Sequence, residues 1–194
     1  MEHWQYYLRG RVLEAFGRRP AAVDAYRAAM AANPAFARAA NRAAYLLAGQ
    51  DRFQEAEALF RRALASDPDN PVTHFNLGFA LDKLGRHADA VVAFRKATQL
   101  GPGIDRAWYG MGLAHAALGE HAAAAAALER AAQLQPMNPH AWYALGMAHH
   151  ATGDTARLHE VVHHLHRFDR KMTRRLINDA GADDLKHLVA DLLV

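Results

Sequence analysis

The 194-residue sequence has no cysteine, which excludes disulfides, thiolate metal ligands and a cysteine nucleophile. It has no apolar run of membrane-spanning length, and its amino terminus, "MEHWQYYLRGR", lacks the apolar core of a secretory leader. A cytoplasmic protein is therefore expected. No strand-like alternation, no Ser/Gly-rich or acidic tract and no G-x-x-x-x-G-K-[ST] loop occurs. A large excess of one charge is missing too: 23 Lys and Arg face 20 Asp and Glu, a net charge of +3. With acidic residues interleaved, that balance speaks against nucleic acid as a partner, even at the basic stretch "HRFDRKMTRR". Lysine is scarce while arginine and alanine abound, the usage of a GC-rich bacterial genome.

What is present is a period of thirty-four. Pro34, Pro68, Pro102 and Pro136 keep this step, as do Ala22, Ala56, Ala90 and Ala124, and Ala29, Ala63, Ala97 and Ala131. Tyr26, Phe60, Phe94 and Leu128 form a bulky column in phase with them. Gly78, Gly112 and Gly146 form another, headed by Gly10, while Gly85, Gly119 and Gly153 form a third, headed by Gly17. The unit "PVTHFNLGFALDKLGRHADAVVAFRKATQLGP", residues 71–102, reads as two helices. The first turns His74, Leu77 and Leu81 inward beside Gly78, and Gly85 breaks it. The second is expected from about Asp89 to Leu100, with Ala90, Phe94, Ala97 and Leu100 inward, and Pro102 forbids its continuation. Small columns let two antiparallel helices approach, and the bulky column fills the wedge between neighbouring pairs. One hairpin cannot bury its apolar face alone, so stacking must supply the core. The expected fold class is all-α, an α-solenoid of stacked antiparallel helix hairpins.

"W-Y-G-M-G" at 108–112 and "W-Y-A-L-G" at 142–146, each followed by a helix-breaking glycine, give the chain its resemblance to the tetratricopeptide repeat family. Five units are expected, at about 3–36, 37–70, 71–104, 105–138 and 139–172, with capping helices over about 170–194, in a single domain spanning 1–194. The second unit departs from the family at Ala40, Ala44 and Asp51, where Trp, Gly and Gly are preferred. The fifth departs in its second helix, where Leu158 and Leu165 replace small residues. In the cap, Met172, Leu176 and Ile177 suit one amphipathic helix ended by Gly181. Leu185, Leu188, Val189, Leu192 and Leu193 suit a second.

The resemblance implies a protein or peptide ligand in a concave groove lined by the first helices, with no cofactor and no membrane partner. One offset selects the groove residues in each unit: Trp4, Tyr7 and Arg11, then Arg38, Asn41, Arg42 and Tyr45. In the third unit it selects Val72, Phe75, Asn76, Phe79 and Lys83. Arg106, Tyr109 and Leu113 follow in the fourth, and His140, Tyr143, Met147 and His150 in the fifth. This is an aromatic floor with basic side chains along it, and acids on the same face are few, Glu14 and Asp82. Aromatics offer contact area at low entropy cost and arginine offers forked donors to carboxylates. The expected ligand therefore carries acidic and aromatic or aliphatic residues, and the expected function is a non-enzymatic adaptor. The alternative is a self-assembling scaffold, a homo-oligomer joined through "LVADLL" in the cap. Chaperone-binding members of the family grip a C-terminal carboxylate with five polar side chains. Asn76 and Arg106 fit that set, while Asn41, Tyr45 and Gly110 do not, so this clamp is not expected.

Residues 159–166, "HEVVHHLH", contain H-E-x-x-H, the helical zinc-peptidase signature. His159, His163 and His166 share a helical stripe and are the candidates for metal. The repeat frame places them in the second helix of the fifth unit, beside the apolar stripe of Leu158, Val161, Val162, Leu165 and Phe168. No breaker brings in a third ligand and no strand edges a cleft, so the expectation is a polar seam against the cap, with neither metal nor catalysis. His74, His87, His115, His121 and His149 occupy Trp or Tyr columns of the family and are expected to act as flat, half-buried rings.

Overall fold

The computed structural model describes the backbone of residues 1–193 and the side chains of residues 1–190. Every regular element among them is helical. By internal contact, Met1–Pro102 and Gly103–Val194 form two compact units. In the first, α1 (Glu2–Ala15) packs on α2 (Arg19–Ala32), α3 (Ala37–Ala48) on α4 (Phe53–Ser66), and α5 (Pro71–Lys83) on α6 (His87–Leu100). Helix α2 also meets α3, and α4 meets α5, so the hairpins stack. The second unit holds α7 (Asp105–Ala117), α8 (His121–Leu134), α9 (Pro139–Thr152), α10 (Thr155–His166) and α11 (Arg170–Ala180), followed by a 3-10 helix over Asp183–Leu193.

Local chemistry sets the helix ends. The side chains of Asn70, Asn138, Asp154 and Asp169 accept from backbone N–H groups of the first turn they precede, at 2.8–3.1 Å. Gly85, at φ +74°, makes the left-handed turn between α5 and α6. Asp51 makes the matching turn between α3 and α4 at φ 59°, a conformation that costs a residue with a Cβ.

The glycine and bulky columns meet as their spacing requires. A Cβ on Gly78 would lie 2.7 Å from the Phe94 ring, and one on Gly112 would lie 2.5 Å from Leu128. Tyr26, Phe60, Phe94 and Leu128 are all buried, each burial contributing roughly 2–3 kcal/mol before the ordering cost.

Three expectations are corrected. His74 does not enter the core. It is half-buried, and its Nε2 lies 2.8 Å from the Pro68 carbonyl, while Thr73, 2% exposed, takes the inward position. Trp142 makes the same bond, its Nε1 donating to the Pro136 carbonyl at 2.8 Å. The ring in this column ties down the preceding loop. Leu100, the last residue of α6, is half-buried, and Thr98 is buried in its stead. The segment after Gly181 is a 3-10 helix interrupted at Val189 (φ −129°, ψ 16°), so Leu185 and Val189 are buried from a tighter, broken helix. The side chains of Leu192 and Leu193 lie outside the described residues.

The fifth hairpin differs from the others. Sixteen residues separate Gly10 from Tyr26, Gly78 from Phe94 and Gly112 from Leu128, and the same step from Gly146 leads to Val162. Yet the residue facing Gly146 is Leu176 of α11, with Cδ2 2.6 Å from where a Cβ would sit. The cause lies in α10. Leu158 and Leu165 stand in the two alanine columns and are 4% and 0% exposed. Two leucines need more room between α10 and α9 than the methyl groups of neighbouring hairpins, and Leu176 of α11 lies beside the glycine.

Candidate functional site

The first-helix face of the residue 1–102 unit begins with an aromatic cluster. Trp4, 41% exposed, lies 5.7 Å from the Tyr7 ring and 4.9 Å from Phe36. Tyr7 is 9% exposed and serves mainly as packing between Tyr26 and Phe36. Phe36 is a member the repeat spacing misses, because it stands in the loop before α3, where the corresponding residues are Asn70, Ile104 and Asn138. Further along, Tyr45 is 55% exposed and Phe79 is 41% exposed. Phe79 leans on Phe53 at 6.2 Å, whereas Phe75 turns toward Phe94 at 6.0 Å and, like Asn76, is half-buried.

The charged residues of this face fall into two groups. Arg42 reaches Glu14 at 3.3 Å, and the other Glu14 oxygen accepts from the Tyr26 hydroxyl at 2.7 Å. Burial, followed by this bond to a carboxylate, pushes the Tyr26 pKa well above the usual tyrosine value. Asn41 donates to the Thr73 hydroxyl at 2.7 Å, linking α3 to α5, and Asp82 is bonded to His87 at 2.9 Å. These side chains hold the stack together. Arg11, Arg38 and Lys83 behave differently. Arg11 lies beside the Tyr7 hydroxyl, Arg38 sits over the Trp4 ring at 5.8 Å and Lys83 over Phe79 at 5.5 Å. None of the three has a carboxylate partner among the described residues. Arg27, Arg52 and Arg86, by contrast, all pair with acids at 2.6–3.0 Å.

In the second unit, α7 presents Arg106 and Leu113 exposed, with Tyr109 half-buried and its pKa raised by that burial. On α9, Tyr143 is engaged by α11: its hydroxyl donates to Asp179 at 2.6 Å, and the Arg175 guanidinium lies 4.9 Å from its ring. The bond to Asp179, then burial, raises the Tyr143 pKa. Met147 packs against the core of the same unit, while His140 and His150 are exposed.

The octet "HEVVHHLH" lies within α10, as its frame requires. His159 and His166 stand thirty-four residues after Ala125 and Ala132, a column buried in α8. His159 Nε2 faces Asp184 of the 3-10 helix at 3.3 Å, His163 is exposed, and His166 is half-buried. Glu160 is taken by Arg157 at 2.9 Å. No group of three or more His, Asp or Glu among the described residues is placed to hold a metal ion. None of the described helices is long and apolar enough to cross a membrane.

Comparison with known proteins agrees with the helical repeat architecture. Profiles described as tetratricopeptide repeat match residues 7–71 and 47–114, and one described as TPR repeat matches 112–153. No curated protein sequence matches the chain. Among solved structures, YrrB, described as a TPR protein with an unusual peptide-binding site, is 19% identical with a TM-score of 0.79, over 88% of this chain and 89% of its own. MamA from Desulfovibrio magneticus RS-1 is 18% identical with a TM-score of 0.79, over 87% and 95%. The first TPR domain of Spaghetti (RPAP3), bound to the HSP90 peptide SRMEEVD, is 26% identical with a TM-score of 0.59, over 60% and 93%. With three repeat profiles running unbroken from residue 7 to residue 153, and hairpins that pack through the columns those repeats define, the chain belongs to the tetratricopeptide repeat family.

Proposed function

We propose that the chain is a protein-interaction adaptor that holds an acidic segment of a partner on the first-helix face of its residue 1–102 unit. The observation that carries this reading is the state of three cations. Arg38 and Lys83 rest over aromatic rings and Arg11 beside the Tyr7 hydroxyl, none of the three in an ion pair among the described residues, with Trp4, Tyr45 and Phe79 exposed among them. A cation leaning on a ring keeps its donors available, and a carboxylate arriving there gains a charge-assisted bond while the ring packs against its neighbour. The acidic peptide SRMEEVD bound by the Spaghetti domain is in keeping with such a ligand. Contact through one short segment corresponds to micromolar affinity, about −8 kcal/mol.

Selection from a random peptide display library tests the reading. The enriched peptides should carry Asp or Glu beside aromatic or aliphatic residues, and the pair Arg38→Glu and Lys83→Glu should abolish their binding. Enrichment of neutral or basic peptides, or binding that survives both charge reversals, refutes it. A second reading, self-association, is favoured by a stripe along α1 and its C-cap: Leu8, Val12 and Phe16, at four-residue spacing, are 58%, 56% and 79% exposed. Sedimentation showing only monomer at rising concentration rejects that reading.

A further inference from the structure

A cavity of about 240 Å³ lies between α8, α9 and α10. Its apolar wall is Leu145 and Val161, and Trp142 lies along it with the His164 ring 3.9 Å away at 31°. His164 Nε2 is buried and has no hydrogen-bond partner. Three charges stand at the cavity: Glu129 from α8, and Arg157 and Glu160 from α10. Arg157 and Glu160 neutralise each other at 2.9 Å. Glu129 acts on Arg157 only at longer range and makes no ion pair among the described residues. Two carboxylates therefore face one guanidinium, and the site carries one negative charge in excess when its imidazoles are neutral.

We propose that this cavity is a binding site for an organic cation with a flat or apolar body, of the guanidinium or amidinium class. The cationic end pairs with Glu129, and the body lies against Trp142 and the aliphatic wall. Guanidinium and amidinium groups suit this combination because they are planar, weakly hydrated and able to stack on a ring while bonding a carboxylate. The cavity is below the range of drug-sized pockets, roughly 300–1,000 Å³, and fits a fragment or one side chain. Its helices differ from those carrying Arg11, Arg38 and Lys83, so this site stands or falls independently of the adaptor reading.

The three tryptophans, Trp4, Trp108 and Trp142, make the test direct. Protein labelled with 5-fluorotryptophan gives three fluorine resonances, assigned by single Trp→Phe variants. It is titrated with benzamidine, with N-acetyl-arginine amide, and with neutral benzamide. A saturable shift of the Trp142 resonance alone, with both cations and not with benzamide, is expected. The tighter of the two cations tells whether the source is a free amidine or the side chain of a partner protein. Glu129 is exposed, so Glu129→Gln should fold, with the Trp4 and Trp108 resonances unmoved as the check. It should weaken cation binding about tenfold, as loss of one charge-assisted bond does. An equal response to benzamide, unchanged binding in Glu129→Gln, or no saturable shift with either cation overturns the proposal.

Discussion

Replacing Gly146 with alanine places a methyl group 2.6 Å from Leu176 Cδ2 and 2.9 Å from Cδ1. Both atoms belong to a side chain fully buried between helices, so it cannot swing away. Overpacking of this kind costs about 1–3 kcal/mol, and the better helix propensity of alanine returns up to about 1 kcal/mol of it. Gly146→Ala alone should therefore destabilise by about 1–2 kcal/mol. Leu176→Ala alone opens a cavity in the second unit and should cost about 3–5 kcal/mol. In the double variant the new methyl group occupies part of the space the leucine leaves, so the two effects should fall short of their sum by at least about 1 kcal/mol. Urea unfolding followed by circular dichroism, with equal slopes in all four proteins, measures this coupling. Gly112→Ala with Leu128→Ala is the positive control, since that pair meets at 2.5 Å within an ordinary hairpin. Gly146→Ala with Val162→Ala is the decisive comparison. Additive behaviour with Leu176 together with coupling to Val162 would falsify the seating of α11 beside α9.

Asp51 holds a left-handed turn at φ 59° where Gly17, Gly85, Gly119 and Gly153 stand in the other hairpins. Asp51→Gly should raise stability by up to about 1 kcal/mol, and thermal unfolding of the variant at or below the wild-type midpoint refutes this. Tyr26 gives a pH dependence with a definite sign. Its folded pKa is raised by burial and by Glu14, whereas the unfolded hydroxyl ionises near pH 10, at about the model-peptide value. The stability it contributes is full below about pH 10 and is lost as pH rises from there through the folded pKa. Tyr26→Phe should flatten the fall in unfolding free energy above about pH 10, and an identical slope in the two proteins disproves the linkage.

Much of the fold was legible because a repeat writes the same physical constraint several times. Gly78 and Gly112 recur because an aromatic or leucine ridge comes within 3 Å of where a Cβ would sit, and Gly85 recurs because the turn is left-handed. A constraint written once is not legible this way. Leu158 and Leu165 are visible departures, but their consequence, the entry of Leu176 beside Gly146, joins residues thirty apart and out of phase with the period. His74 was misplaced because helical spacing alone does not separate an inward ring from one that reaches sideways to a carbonyl six residues back. On the first-helix faces, spacing selects a stripe of side chains and says nothing about which are already occupied. Asn41 and Arg42 make bonds to Thr73 and Glu14 that lie about thirty residues away in sequence, while Arg38, in the first turn of the same helix, lies over an indole.

The two leucines of α10 also bear on how such a chain can grow. A solenoid lengthens when a hairpin's coding segment is copied whole, and the copy is tolerated if its faces match those of its new neighbours. Residues 71–104 or 105–138 carry alanine in both close-packing columns and could be copied in tandem without leaving space beside their glycines. A copy of residues 139–166 would bring Leu158 and Leu165 with it but leave Leu176 behind. The duplicate would have an unfilled seat next to its own Gly146. Tandem gain is thus open in the middle of the array and penalised at its fifth hairpin, and two side chains are enough to set that polarity.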